Sequence, residues 1–337
     1  MQDRRVPQSE GAVHTALVPG FFDLQVNGFA GVDFNTPGVS AEALTHAAAA
    51  MAATGVTRFL PTFITCTVEH FTACVRPWLH TSLPSVAGFH LEGPYINGAD
   101  GPRGAHPKPL VQPAAIDDFQ RRQDAAQGRV RLLTLAPEMP GALALIEFAV
   151  AQGVVVAIGH SNANGQQVRD AVAAGATMST HLGNATARTL PRYDNVIWQQ
   201  LGADQLTAGL IVDGHHLEPN SVKIMVRAKT PGRAVLVTDA MAAAGQAPGR
   251  YTLGDIDVAL DAHGRASRTD DGRLAGSALT MNRAVALVMK YAGVSFDEAV
   301  RMASVQPAAC LQEQPRGTLD VQWDEAQGTL DINRVNV

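Results

Sequence analysis

Eight short apolar runs recur along this chain, and between them lie segments with helical spacing or polar turns. The runs cover residues 17–26, 56–64, 86–93, 130–137, 154–160, 176–181, 206–214 and 233–239. Residues 40–55, 140–153 and 164–175 carry helix formers at helical spacing, and each ends in Gly, the residue favoured just past a helix C-terminus. Near-continuous apolar strands alternating with helices read as parallel strands buried on both faces. Eight such units are what a (β/α)8 TIM-type barrel requires. The competing α/β fold, an open doubly wound sheet, would carry a G-x-G-x-x-G turn after its first strand. Here that strand runs instead into Asn27-Gly-Phe-Ala-Gly31, with no suitably placed acidic residue downstream.

The remaining chain is expected to add a small β-layer. A polar, Gly- and Asp-rich stretch covers residues 249–272, and helical spacing returns over 279–292 and 295–303. Residues 317–337 alternate apolar and polar, like one hairpin of a small sheet, and residues 6–18 offer it a further strand. The expected division is a barrel over residues 17–316 and a satellite β region from residues 1–16 and 317–337.

Composition narrows the function. With 46% hydrophobic and 17% charged residues, 337 residues can bury a large core. The net charge is −5 and no basic run is present, which argues against a surface that tracks nucleic-acid phosphates. No stretch approaches the ~20 apolar residues of a membrane span, and no apolar segment follows the N-terminal arginine pair as a secretory signal would require. Cys66, Cys74 and Cys310 are odd in number and lack CxxC spacing, which fits reduced thiols in a cytoplasmic protein.

Three side chains able to hold a metal close successive runs: Glu138, His160 and His181. The intervals, 138 to 160 and 160 to 181, match one strand, one helix and two short loops. A lone strand-terminal histidine is usually a polar cap. Three ligand-type residues in register instead suggest a catalytic zinc set of two imidazoles and one carboxylate, with one position open. Hydrolysis at such a site needs a proton carrier. Asp239, at the end of the eighth run, is the candidate, although a strand-terminal Asp often only caps a helix.

Further candidates cluster at the same strand ends. His215 and His216 follow the seventh run beside Gly214, and His216 is the preferred substrate contact. His106 sits in the long Gly/Pro-rich loop after the third run, where it can polarise a carbonyl. Asn184, Arg188 and Arg192 lie in the loop after the sixth; two guanidiniums in an acidic chain suggest an anionic group such as phosphate. Ser277 stands near an expected helix N-terminus whose backbone amides are suited to an anion.

These residues also carry a family pattern. The segments PGFFDLQVNGFAG (19–31), LPTFIT (60–65), GFHLEGPYIN (88–97), LAPE (135–138), GHSNA (159–163), THLGNA (180–185), VDGHH (212–216), LVTDA (236–240) and LAGSALTM (274–281) occur in family order. On them the chain resembles the N-acetylglucosamine-6-phosphate deacetylase family of the amidohydrolase superfamily. The resemblance implies metal ligation by Glu138, His160 and His181, proton transfer by Asp239, and a carbonyl contact from His106. It implies sugar and phosphate contacts from Ala105, His106, Asn184, Ala185, Arg192, His216 and the loop Leu274, Ala275, Gly276 and Ser277. It also implies a homodimer in which Arg192 reaches the neighbouring site.

The chain departs from the pattern in informative places. Two-metal amidohydrolases carry HxH at the end of the first strand, and here Gln25 and Asn27 stand there. Amides are poor zinc ligands, so one divalent ion per subunit is expected, Zn2+ first, with Fe2+ or another divalent ion accepting the same set. The middle of the sixth loop is not the usual family text, which leaves Arg188 and Arg192 competing for the phosphate. Few residues precede the first strand, so the satellite, a β-sandwich in relatives, is expected to be reduced. The activity implied is hydrolysis of N-acetyl-D-glucosamine 6-phosphate to D-glucosamine 6-phosphate and acetate. The alternatives are the N-acetylgalactosamine 6-phosphate epimer or a non-catalytic sugar-phosphate-binding relative.

Overall fold

The computed structural model describes residues 13–337, so the first part, residues 6–12, of the strand expected over 6–18 lies outside the described residues. Eight parallel strands pair in chain order: Phe21–Val26, Val56–Phe63, Phe89–Glu92, Val130–Leu135, Val155–Ile158, Met178–Ser179, Thr207–Leu210 and Ala234–Leu236. They are numbered below as the first to eighth barrel strands. The ring closes where Val26 bridges Ala240. There the Asp239 N–H donates to the Gln25 carbonyl at 2.9 Å and the Asn27 N–H to the Ala240 carbonyl at 2.7 Å. The chain thus forms the expected TIM-type barrel.

Burial explains the near-continuous apolar runs. All eight residues of the second strand are buried, because helices cover its outer face while side chains fill the barrel within. The helices start where their caps direct. Ser40 accepts from the Ala43 N–H ahead of Ala41–Ala52, and Asn164 and Gln167 form a reciprocal capping box ahead of Gly165–Ala173.

The first apolar run proves to be two strands. Val13–Pro19 pairs antiparallel with Thr318–Asp324, which pairs in turn with Thr329–Asn336, making a three-stranded terminal sheet. The run breaks at Gly20, where a Cβ would lie 2.2 Å from Thr57 Oγ1 and 2.4 Å from the Arg316 carbonyl oxygen. Only Gly lets the backbone pass this close from the sheet into the barrel.

A second difference lies after the eighth strand. The polar, Gly- and Asp-rich stretch, for which the sequence predicts no element, contains an antiparallel meander, Gly249–Leu253, Ile256–Leu260 and Ala266–Arg268. Its inward residues Leu253, Val258, Leu260 and Ala266 pack with Ile64, Met241 and Ala275 in a separate small core. Alternation over Ile256, Val258 and Leu260 was its signal, weakened by the surrounding Asp and Gly. The meander thereby brings Leu253 to the rim of the barrel mouth. Among the described residues no helix is long and apolar enough to cross a membrane.

Candidate active site

The carboxyl ends of the barrel strands open into a cleft of about 300 Å³. Glu92 is the last residue of the third strand, and His160 and His181 each lie two residues beyond the fifth and sixth. All three are buried. Glu92 Oε1 is 3.1 Å from His160 Nε2 and 3.1 Å from His181 Nε2, and the two imidazole nitrogens are themselves 3.1 Å apart. Four tetrahedral ligands at zinc distances of about 2.0–2.1 Å are separated by roughly 3.3 Å, so this triangle has the size a divalent ion needs. His160 Nδ1 donates to the Pro102 carbonyl at 2.9 Å, which leaves the Nε2 lone pair facing Glu92 and His181. The residues present therefore fit a single metal ion.

The structure corrects the carboxylate of this set. Glu138 does not join His160 and His181. It lies three residues beyond the fourth strand, where its oxygens take hydrogen bonds from Asn97 Nδ2 (2.9 Å), Ser161 Oγ (2.7 Å) and the Asn162 N–H (2.6 Å). It ties together the loops after the third, fourth and fifth strands. Glu92 takes the place assigned to it. The regular spacing from Glu138 through His160 to His181 misled, because it selects adjacent strands, whereas the carboxylate that meets the two histidines comes from the third strand and skips the fourth.

Asp239 faces the same cluster from across the ring. Gln25 Nε2 donates both to Glu92 Oε1 (2.8 Å) and to Asp239 Oδ1 (3.1 Å), and Asn27 Nδ2 donates to Asp239 Oδ1 at 2.6 Å. The two residues at the HxH positions thus act as hydrogen-bond donors between the carboxylates. Burial, then the charge of Glu92, pushes Asp239 up to about 8. Burial alone would also raise Glu92, but the close approach of the His160 and His181 imidazoles outweighs it and holds that carboxyl well below its ordinary range.

His160, His181 and Asp239 have backbone φ of +53°, +28° and +49°. Non-glycine residues seldom adopt the left-handed region, and each such residue costs about 1–3 kcal/mol. The surrounding hydrogen bonds of the barrel rim sustain the strain.

His106 is buried at the edge of the cluster, with Nε2 3.7 Å from Glu92 Oε2. Burial, then the neighbouring His160, keeps its imidazole well below the usual value and so neutral. His216 lines the cleft and its Nδ1 donates to Asp213 Oδ2 at 2.6 Å. Burial would raise Asp213, but that hydrogen bond outweighs it and brings the carboxyl down to about 2. His215 turns away to within 3.1 Å of the His263 carbonyl, so of the two only His216 lines the cleft.

Ala105, Asn184, Ala185, Leu274, Ala275 and Gly276 also line the cleft. Ser277 does not. Its hydroxyl donates to the Thr238 carbonyl at 2.5 Å and its N–H to the Asp239 carbonyl at 2.8 Å, clipping the turn that carries Asp239. Nor is it near a helix cap, since the helix Met281–Ala292 begins after Thr280. Arg192 is exposed and does not line the cleft, whereas Arg188 does. Arg273 borders the cleft beside the meander; with Arg250, Arg265 and Arg268 in the same polar stretch, nothing in the sequence set it apart.

This fold has close counterparts. A family model described as the Amidohydrolase family matches residues 16–324. Human N-acetylglucosamine-6-phosphate deacetylase is 36% identical over 335 residues, 94% of this chain and 79% of the relative. The N-acetylgalactosamine-6-phosphate deacetylase of Escherichia coli O157:H7 is 35% identical, over 88% of this chain and 78% of that one. The Mycobacterium smegmatis N-acetyl-D-glucosamine-6-phosphate deacetylase, a mutant in complex with N-acetyl-D-glucosamine-6-phosphate, superposes with a TM-score of 0.87. It is 31% identical and covers 95% of this chain and 85% of its own. The chain belongs to the amidohydrolase family.

Proposed function

We infer that this protein is an N-acetylglucosamine-6-phosphate deacetylase, releasing acetate and D-glucosamine 6-phosphate. The single observation that carries the reading is the convergence of Glu92, His160 and His181 opposite Asp239 in one cleft. The relatives that share 31–36% of its sequence and are named for this activity supply the substrate.

In this reading Glu92, His160 and His181 hold one divalent ion, Zn2+ by the preference of two imidazoles and a carboxylate, with Fe2+ the next choice. When bound, such an ion makes water a nucleophile near neutral pH and polarises the amide carbonyl. Asp239 accepts the proton of the attacking water and delivers it to the departing sugar nitrogen. His106 donates from the cleft wall to the amide oxygen as negative charge builds there. Asn184, Ala185, His216 and the Leu274–Gly276 turn surround the sugar, and Arg188 lies where a phosphate on the sugar would meet it.

A homodimer belongs to the same proposal. Tyr193, next to Arg192 in the chain, is 77% exposed, and Trp198 and Ile224, on two helices in mutual contact, are each 55% exposed. Pairing two such surfaces would bury these apolar groups and carry Arg192 toward a second cleft. A cytoplasmic setting suits the three free cysteines, two of them buried.

The test is acetate release from N-acetylglucosamine 6-phosphate, with metal content measured on the same sample. About one ion per chain and chelator-sensitive turnover are expected. A metal-loaded protein that releases no acetate would overturn the reading. The galacto epimer belongs in the same assay, since a relative named for it is 35% identical; faster turnover of that epimer would transfer the assignment to it.

A further inference from the structure

Four side chains, not three, crowd the centre of the site: Glu92, His106, His160 and His181. Glu92, His106 and His160 also bring ligand atoms close enough together for a metal. The rings of His106 and His160 are 4.3 Å apart, centroid to centroid. Nothing in the residue types says why one histidine should ligate and its neighbour should not.

The hydrogen bonds on the far side of each ring decide it. His160 Nδ1 faces the Pro102 carbonyl at 2.9 Å. A carbonyl can only accept, so that nitrogen carries the proton and Nε2 keeps its lone pair. His106 Nδ1 faces Thr65 instead, with the Thr65 backbone N–H at 3.4 Å and Thr65 Oγ1 at 2.8 Å. A backbone N–H can only donate. His106 Nδ1 is therefore the acceptor, the Thr65 hydroxyl adds a second donor to it, and the ring proton must sit on Nε2.

We propose that Thr65 is a positioning residue that fixes the Nε2–H tautomer of His106. This makes His106 a hydrogen-bond donor to the substrate and excludes it from the metal's ligands. Thr65 is itself held firmly. It is buried just past the second strand, and its Oγ1 occupies the space where a Cβ on Gly93 would stand only 2.3 Å away. Gly93, at φ +85°, directly follows Glu92, so a ligand and the residue that disqualifies a competing ligand are set by adjoining backbone. The proposal rests on the reading of His106 given above for its catalytic consequence, but not for the tautomer.

The experiment uses the full chain with 13C,15N-labelled histidine, His106 being identified by the signals missing from His106→Gln. In the 113Cd-loaded protein, coupling to two imidazoles is expected, with His106 uncoupled and protonated at Nε2. A Nδ1-protonated His106, or a cadmium coupling to it, would overturn the proposal whether or not the protein deacetylates sugar phosphates. Removing one oxyanion donor typically costs about 10²–10³-fold in kcat. Thr65→Val loosens rather than removes His106, so about a tenfold to hundredfold fall in kcat is expected, with KM and metal affinity within about twofold. Thr65→Ser should restore most of it. Unchanged kcat in Thr65→Val, or a loss that follows metal affinity, would also overturn the role of Thr65. If the wild-type protein releases no acetate, the deacetylase reading fails while the spectra still decide the tautomer.

Discussion

Asn27 Nδ2 donates to Asp239 Oδ1 across 2.6 Å, at a position where a two-metal site would hold an imidazole. Gln25, two residues earlier, reaches further and bonds Glu92 as well as Asp239. The two amides therefore have separable tasks. Asn27→Ala frees only Asp239, so kcat should fall with metal affinity unchanged. Gln25→Leu also frees Glu92, the carboxylate proposed to hold the metal, and loss of such outer contacts typically lowers metal affinity about 10–100-fold. Chelator competition beside steady-state kinetics separates the two. Equal metal affinity in both variants would show that Gln25 does not orient Glu92.

Glu92 and Glu138 give a direct test of which carboxylate serves the metal. Glu92→Gln should lose bound metal and activity together. Glu138→Gln should keep its metal, because its oxygens bond Asn97, Ser161 and the Asn162 N–H instead. It should lower stability by about 1–3 kcal/mol, the cost of leaving partly buried donors without their charged acceptor. Metal analysis and thermal unfolding read both; a metal-free Glu138→Gln protein would reinstate Glu138.

The barrel was legible because its rule is periodic: eight buried strands leave eight apolar runs, and the fold simply counts them. His160, His181 and Asp239 were legible for the same reason, since strand ends face one mouth. Glu92 closes a strand equally well, within HLEG, but a ligand ladder of even spacing passes over it. Which strand ends meet depends on the stagger of the ring, and stagger leaves no mark in a single sequence. Gly20 hid another boundary, because its close approach to Thr57 and Arg316 is a contact between parts of the chain far apart in sequence. Ser277 failed differently: a hydroxyl before a helix suits an anion site and a backbone clip equally, until Thr238 is seen beneath it.

Arg188 and Arg192 are four residues apart, yet only Arg188 lines the cleft of its own chain. Arg188→Ala should raise KM for the phosphorylated sugar by about 10–100-fold, as hydrogen bonds to charged groups contribute about 1.5–3 kcal/mol. In the proposed homodimer, Arg192→Ala should raise it through the partner's site alone. Mixing Arg192→Ala chains with Asp239→Asn chains then supplies an intact Arg192 to an intact Asp239. The mixed dimers should recover a low KM, and failure to recover it would confine the phosphate contact to Arg188.

Asp23 offers a pH test away from the metal ligands. It is buried where the first and eighth strands close the ring, accepting from Thr238 Oγ1 at 2.5 Å and the Thr238 N–H at 3.2 Å. Burial pushes it up to about 7, against the partial opposition of these hydrogen bonds. A carboxyl whose folded pKa is raised contributes its full stability below the unfolded value near 3.8 and loses it as pH climbs through about 7. Between pH 5 and about 7 the native protein holds a proton that the unfolded chain has released, so Asp23 should withdraw about 3 kcal/mol of stability by pH 8, most of it below pH 7. Asp23→Asn removes the titration. The new amide oxygen still accepts from the Thr238 N–H, and the Thr238 hydroxyl can turn to the Gln25 carbonyl, already 3.4 Å away. The variant should match the wild type near pH 5 and exceed it at pH 8, as read by denaturant unfolding at both values. If the stability gap between wild type and Asp23→Asn is the same at pH 8 as at pH 5, Asp23 is not raised in this way, because an ordinary carboxyl is ionised in both states throughout that range.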